Sequence, residues 1–188
     1  MPFAASPDFD IENVRIRTAQ PSDMDTLLRF EQGVISAERP MDSTLKEDPI
    51  HYYDLNHMMT SPDIELVVAE LVAPELASPQ PVALQPAVPQ PIAPQPGPIL
   101  IGSGYARINP SRHYLKHSVH AYLGFMYVEP AYRGKGVNQL IIAALKAWAL
   151  SRQLTELRLD VYHTNTNAIR AYEKAGFTQY LLNMRMGI

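Results

Sequence analysis

The stretch Phe125–Phe177 decides the fold, and it reads FMYVEPAYRGKGVNQLIIAALKAWALSRQLTELRLDVYHTNTNAIRAYEKAGF. An apolar, aromatic and β-branched run over Tyr122–Val128 is typical of a buried strand. Pro130 cannot donate a ladder hydrogen bond, so it helps to end this strand. A second strand is predicted at Leu154–Tyr162, where apolar and polar residues alternate. The stretch therefore has the form strand, loop, helix, strand, helix.

Arg133-Gly134-Lys135-Gly136 joins the first strand to the first helix. Gly134 and Gly136 allow positive φ and a close approach of the backbone to a ligand. The apolar residues of the predicted helix recur with helical spacing; they are Val137, Leu140, Ile141, Ala144, Leu145 and Trp148. The free amides and the positive dipole at the start of this helix suit a pyrophosphate. An ordinary basic turn is the alternative interpretation of the loop.

The second half of the stretch ends in a short helix. Asn165, Thr166 and Asn167 are all favoured at the N-cap position. The helix is predicted over Ala168–Ala175, and Gly176 stands where a C′ glycine ends a helix.

These residues resemble the motifs of the GNAT family of N-acetyltransferases. Arg133-x-x-Gly136 matches the start of the family's Arg/Gln-x-x-Gly-x-Gly/Ala pyrophosphate loop. Asn165 matches the family's CoA-contacting asparagine. Tyr172 matches its usual tyrosine and is followed by the familiar Glu-Lys-x-Gly-Phe. Asn138 departs from the pattern, because the family has Gly or Ala there; an asparagine still supplies the backbone amide.

The resemblance implies an α/β (α+β) fold with a mixed, mostly antiparallel central sheet and helices on both faces. The strands Tyr122–Val128 and Leu157–Tyr162 are expected to run parallel and splay apart, with the cofactor in the splay. We expect one acetyltransferase-like domain over residues 1–188, interrupted by a Pro/Gln-rich insertion at 74–98.

The resemblance also implies which residues bind acetyl-CoA. A backbone N–H near Met126–Val128 is expected to stabilise the oxyanion that develops on the thioester. The predicted cofactor-binding residues are Met126, Tyr127, Val128, Arg133, Gly134, Lys135, Gly136, Val137, Asn138 and Asn165.

The family's chemistry is direct attack of a neutral amine on the thioester. A phenol with a pKa near ~10 can protonate the leaving thiolate, so Tyr172 is the expected acid. Simple packing of the ring is the alternative role. The base stays open between His120 and Tyr122, which share strand parity, Glu38, which we place in a loop after the first helix, and an ordered water. No two of the six histidines have the context of metal ligands, so no metal is predicted.

We therefore predict an N-acetyltransferase that uses acetyl-CoA as donor and a primary amine of a small molecule or a protein as acceptor. The alternative is a non-catalytic CoA-binding or interaction module of the same fold. Neither nucleic acid nor a membrane is a predicted partner, and a homodimer stays open.

The composition argues against several other classes of protein. The net charge of −3 and the sequence pI near 6.0 argue against a bulk nucleic-acid binder. The absence of cysteine excludes a disulfide framework and a Cys nucleophile. No long apolar run predicts a membrane span, and Met1–Asp10 lacks the pattern of a signal peptide. A cytoplasmic location is consistent with these features. The loop also lacks the P-loop spacing and the third glycine of a dinucleotide fingerprint.

Further elements follow from apolar patterning. Ser22 and Asp25 have the form of a capping box at the start of a first helix. Arg107–His117 is predicted to be a basic turn, with acceptor or CoA-phosphate binding as the alternative. The other predicted elements are strands at Val14–Thr18, Ile64–Val72, Ile99–Ile108 and Thr178–Met186 and a helix at His51–Met59.

Overall fold

A five-stranded sheet in the order β1-β2-β3-β4-β5 forms the centre of the fold. The structure, a computed structural model, describes residues 9–72 and 98–188. The strands are β1 (Val14–Thr18), β2 (Ile64–Leu71), β3 (Ile99–Pro110), β4 (Val119–Val128) and β5 (Leu157–Arg158). The α-helices are α1 (Met24–Glu38), α2 (Leu55–Thr60), α3 (Val137–Ser151) and α4 (Thr166–Lys174).

The first four strands pair antiparallel, and β4 pairs with β5 in parallel. The parallel ladder is short, because it joins only Ala121 to Leu157 and Tyr122 to Arg158. Beyond this point β4 continues to Val128, and no strand among residues 9–72 and 98–188 lies beside it on the β5 side. The mixed sheet with a splayed parallel pair is thus confirmed.

Helices cover both faces of the sheet, as predicted. On one face α3 packs against the strands through four apolar side chains, which are Val137, Ile141, Leu145 and Ala149. On the other face α1 and α2 contribute Leu27, Phe30, Leu55 and Met58. The β-strands supply the residues between these layers, so core side chains pack on both faces of the sheet.

Strand β4 contains a bulge at Phe125. Its φ is +53°, and the pairing of β3 with β4 shifts register between Ser103 and Tyr105. The Ser103 hydroxyl donates to the Phe125 carbonyl at 3.1 Å inside the core. A bulky residue at positive φ is uncommon and costs backbone energy, and such strain concentrates at functional sites. The bulge lies where β4 leaves β5.

The first helix begins differently from the prediction. A 3-10 turn at Pro21–Asp23 precedes α1, and the capping box joins Gln20 to Asp23, so the Ser22–Asp25 assignment is wrong. The Asp23 carboxylate also binds Arg17 of β1 at 2.7 Å, and this ion pair selects the earlier cap. The helix continues to Glu38, which is its last residue and does not lie in the loop after it.

The predicted helix at His51–Met59 forms only as α2 from Leu55. The cause is Glu31 of α1, whose side chain is fully buried. Its carboxylate accepts hydrogen bonds from the backbone amides of Tyr52 and Tyr53 at 2.6 and 2.9 Å. Glu31 thus holds the Tyr52–Tyr53 segment against α1, and the helix starts after Asp54, whose side chain caps it by accepting from the amide of His57.

Two predictions at the C-terminal end are wrong in extent. The strand predicted over Leu157–Tyr162 is only two residues long, because its partner β4 bends away at the bulge. No strand forms over Thr178–Met186 within the described residues. A two-residue β5 offers almost no edge for another strand, and Tyr180, Leu182 and Met184 stay 71–86% exposed. The Pro/Gln-rich insertion predicted at 74–98 lies, except for its last residue, outside the described residues.

Gly33 provides a test of the packing between α1 and β4. A Cβ at this position would lie 2.4 Å from Cε2 of Tyr127, a ring that also packs on Phe30. Gly33→Ala should therefore destabilise the protein by about 1–3 kcal/mol, although alanine favours helices. Thermal unfolding measures the loss. Ser36→Ala, at an exposed position of the same helix, is the control and should not lower the midpoint; equal midpoints for the two variants would contradict the packing.

Candidate functional site

The loop before α3 presents a row of unpaired backbone amides. Gly134 and Gly136 both have positive φ, at 73° and 91°, as their predicted role requires. Gly136 occupies the N-cap of α3 and offers no side chain to the first turn. Within residues 9–72 and 98–188, no acceptor binds the amides of residues 134–138. Free amides at a helix N-terminus form a ready site for an anion such as a phosphate.

The two cations of the loop have different surroundings. Nε of Arg133 donates to the Val128 carbonyl at 2.8 Å, so this side chain ties the loop to the end of β4. Nζ of Lys135 lies 4.9 Å from the ring centre of Phe9 and is exposed. Arg133 thus has a positioning contact, and the flexible Lys135 is the cation with freedom to reach a bound phosphate.

The open edge of β4 runs toward this loop. The Glu129 amide donates to the Ile101 carbonyl of β3. Alternate residues of a strand direct their backbone groups to opposite edges. Met126 and Val128 therefore direct their amides to the side that β5 leaves open, and Tyr127 pairs with β3 at Ser103. The ring of Tyr127 lies in the core under α1, where it packs and does not face the splay.

Glu38 and Tyr172 lie in one electrostatic environment, although they come from α1 and α4. Burial raises the pKa of Tyr172 to about 12, and the charge of Glu38 adds to this rise. Burial raises the pKa of Glu38 as well; the hydroxyl of Tyr52 opposes that rise, and Asp42 adds to it. The charge of Glu38, one of the predicted bases, thus acts on Tyr172, the acid predicted from the motif.

A second carboxylate borders this pair. Asp42 accepts hydrogen bonds from the hydroxyl of Tyr162 at 3.1 Å and from Arg185 at 2.9 Å. The hydrogen bonds from Arg185 and Thr44 lower the pKa of Asp42, so it stays ionised. The region around Glu38 therefore combines two carboxylates with tyrosine hydroxyls.

Tyr122 and His120, the other predicted bases, have partners of their own. The Tyr122 hydroxyl donates to Asp160 at 3.0 Å, and burial is the main reason that its pKa is raised. His120 is buried, and its Nδ1 lies 3.0 Å from the Ser111 hydroxyl. Burial lowers its pKa, and the charge of Arg158 adds to this effect. His120 lies five residues before the bulge at Phe125, roughly 16 Å along the strand. His120 is therefore distant from the bulge along β4.

Asn165 caps α4. Its side-chain oxygen accepts the amide of Ala168 at 3.2 Å, so the amide nitrogen of the side chain stays available to a ligand. Ala175 is the C-cap, and Gly176 follows with a φ of 98°, as predicted for a C′ glycine. The rings of Tyr172 and Phe177 then meet edge to face at 5.9 Å, which orients Tyr172.

Three residues of this region were missed from the sequence. Glu31 accepts hydrogen bonds from the backbone amides of Tyr52 and Tyr53. Its sequence signal was a charged residue on the apolar side of the predicted first helix. Tyr53 stacks on Phe125 with ring centres 4.6 Å apart, next to the bulge. No local pattern marks Tyr53 or Asp42, because both act through contacts that are distant in sequence.

No three His, Asp or Glu side chains in residues 9–72 and 98–188 are arranged to hold a metal ion. None of the helices in these ranges is long and apolar enough to cross a membrane.

The sequence similarity to known proteins includes the part of the chain that carries the loop and α4. Residues 100–177 match the model of the Acetyltransferase (GNAT) family. Streptothricin acetyltransferase of Escherichia coli is 47% identical over 51 residues, 27% of this chain and 29% of that protein. Thialysine N-epsilon-acetyltransferase of Bos taurus is 32% identical over 84 residues, 43% of this chain and 45% of that protein. The chain thus spans less than half the length of these two curated relatives.

Solved structures share the fold at low identity. A predicted acetyltransferase from Clostridium acetobutylicum, solved with acetyl-CoA, has a TM-score of 0.61 and 15% identity. The match covers 93% of this chain and 96% of that one. This likeness concerns the fold, and the match of residues 100–177 to the family model confirms the resemblance drawn from the loop and α4 motifs.

Proposed function

We propose, from the match of residues 100–177 to the model of the Acetyltransferase (GNAT) family, that this chain transfers the acetyl group of acetyl-CoA to a primary amine. One observation carries the proposal. Among the described residues, the amides of residues 134–138 are unpaired, and they lie at the end of the open edge of β4. A ligand can therefore place a pyrophosphate on the loop while the extended chain attached to it follows β4.

The cofactor would be oriented by this geometry. Its pyrophosphate would bind the amides of the loop, with Lys135 adding charge, while the pantetheine chain would follow β4 as a strand does. The amides of Met126 and Val128 are the donors on that edge, and such an edge binds extended ligands through the main chain. The acetyl group would then lie near the bulge at Phe125, and Asn165 would contact the CoA chain from the other side of the splay.

We assign the proton transfers to Glu38 and Tyr172. The amine must lose a proton to attack the thioester, and the thiolate must gain one to leave. Glu38 is our proposed base, because its charge acts on Tyr172 and contributes to the raised pKa of that phenol. Tyr172 stays protonated at neutral pH, since its pKa is raised to about 12, and it can donate to the thiolate. Tyr122 remains a candidate that contacts the acceptor through its Asp160-bound hydroxyl.

The acceptor is proposed to be a small cationic amine. Glu38 supplies negative charge that acts on Tyr172, and tyrosine faces attract cations. The named substrates of the two curated relatives, streptothricin and thialysine, agree with a small amine as acceptor.

Gly136→Val tests the cofactor site. A valine cannot adopt a φ of 91° without strain, so the amides beside it should turn away from the phosphate. Acetyl-CoA at about 100 times its Kd should stabilise the wild type by roughly 2.7 kcal/mol and should not stabilise the variant. A thermal scan with and without acetyl-CoA measures both.

Gly176→Val is the matched control. This glycine also has a positive φ, at 98°, and a Cβ there would meet no atom within 4 Å. Both valine variants should lose stability through backbone strain, but Gly176→Val should keep the response to acetyl-CoA. If both variants respond like the wild type, the loop does not hold the pyrophosphate.

A further inference from the structure

A cavity of about 220 Å³ opens between α2 and the sheet, on the face that carries α1. Its walls include Tyr52, Tyr53, Tyr105, Asp54 and Arg107. Tyr53 also stacks on Phe125 at the bulge, so this cavity and the proposed site of acetyl transfer share a wall. The exposed side chains of Arg107 and Asp54 give the cavity a cation and an anion beside the tyrosine rings, and His57 also lines it. A cation and an anion in one cavity are complementary to a zwitterion.

Arg107 is held in place without being neutralised. Its guanidinium carbon lies 5.5 Å from the ring centre of Tyr122 and 5.9 Å from that of Tyr105. Its Nε donates to the side chain of Asn109 at 2.9 Å. Among the residues that the structure describes, no carboxylate forms an ion pair with it, and its Nη groups donate to no acceptor. An oriented guanidinium with free donors is the preferred protein partner of a carboxylate.

Arg107 is too far from the phosphate loop to serve the cofactor there. It pairs across the sheet with Tyr122, six residues before Val128, where the loop begins. Six residues of strand span roughly 20 Å. The bulge at Phe125 is nearer, at three residues or about 10 Å along the strand. An aliphatic chain of a few methylene groups between two polar ends can span this distance between Arg107 and the bulge.

We propose that Arg107 binds the carboxylate of the acceptor, and that the acceptor is an amino acid with a second amine at the end of its side chain, of the lysine type. Its α-ammonium faces Asp54, and its distal amine reaches the acetyl group near Phe125. The tyrosine rings of the cavity cover its methylene groups. This inference rests on the proposed function, because it names the acceptor of that same site.

The test compares L-lysine with 1,5-diaminopentane, which has the same terminal amine and chain but no carboxylate. Release of the CoA thiol from acetyl-CoA is followed for both amines. The wild type should favour lysine in kcat/KM. Arg107→Gln should lower kcat/KM for lysine by about 10–100-fold, since a charge-assisted bond is lost, and change that for the diamine by less than about twofold. Arg107→Lys should recover part of the loss.

Controls separate this inference from its alternatives. Arg112→Gln removes an exposed arginine of the neighbouring loop and should leave both amines unaffected. An equal loss for both amines in Arg107→Gln would overturn the inference, because it would indicate a packing role. A wild type that uses the diamine as well as lysine, or uses neither, would overturn it too. If acetyl-CoA still stabilises the wild type in that last case, the proposed cofactor site survives; without that stabilisation, the proposed function fails as well.

Discussion

Replacing Tyr172 with phenylalanine is expected to lower kcat by about 10²–10³-fold and to change the KM for acetyl-CoA by less than about twofold. The substitution removes one hydroxyl and keeps the ring that meets Phe177 edge to face. If the phenol protonates the thiolate, it contributes only while the carbon–sulfur bond breaks. Steady-state kinetics with an accepted amine measures kcat and KM separately.

Tyr180→Phe is the control for this substitution. Tyr180 is 72% exposed and lies eight residues further along the chain, so its hydroxyl should not matter to turnover. A Tyr172→Phe enzyme with the kcat of the wild type would remove this phenol from the mechanism. The thermal midpoint of both variants should stay near that of the wild type, which excludes unfolding as the cause of a lower kcat.

Replacing Glu38 with glutamine should lower kcat by about 10²–10⁴-fold, the usual contribution of a positioned base. It should at the same time stabilise the fold at neutral pH. The pKa of Glu38 is raised in the folded state by burial, from an ordinary value of 4.5. The folded state therefore binds this proton more tightly than the unfolded state, and the resulting stabilisation is present at low pH and is lost as pH rises through the raised pKa.

The same pKa sets the pH dependence of the reaction. Only the ionised carboxylate can accept a proton, so the rate of the wild type should fall as pH drops through the raised pKa. This fall in rate at low pH should be absent in Glu38→Gln. Glu47→Gln, at an exposed position of the following loop, should change neither kcat nor the midpoint. An unchanged pH profile in Glu38→Gln would show that another group is the base, with Tyr122 the next to test.

The elements with strong periodic patterns were predictable from the sequence. Strand β1 has the predicted bounds Val14–Thr18, and α3 begins at Val137, where the glycine loop ends. Gly176 has the predicted positive φ after α4. In each case the decisive interactions are local: alternation for a strand, apolar spacing and a glycine for a helix.

The elements that depend on distant contacts were not predictable. The start of α2 is set by Glu31, twenty residues or more before the amides that it binds. The positive φ of Phe125 has no sequence signal, since the residue is neither Gly nor Asn. The two-residue length of β5 follows from the path of β4, and its alternating pattern could not reveal this.

The candidate site divides in the same way. The residues of the loop at 133–138 and Tyr172 were predicted from motifs within the single stretch Phe125–Phe177. The base could not be predicted in this way, because the choice between Glu38, His120 and Tyr122 depends on where the fold places each side chain. Arg107 lay in both the predicted strand Ile99–Ile108 and the predicted basic turn, for which acceptor binding was the alternative. It lies within β3, and its orientation over two tyrosine rings needs the register of β3 with β4.

Amine-dependent cleavage of acetyl-CoA tests the central claim most directly. The wild-type protein is mixed with acetyl-CoA and a panel of small amines that includes lysine, and free thiol and acetylated amine are measured in the same samples. The account predicts that at least one amine yields both products in equal amounts, and that Tyr172→Phe slows their release. Stabilisation by acetyl-CoA without acetylation of any amine would contradict catalysis and favour a CoA-binding module. The absence of both would contradict the account as a whole.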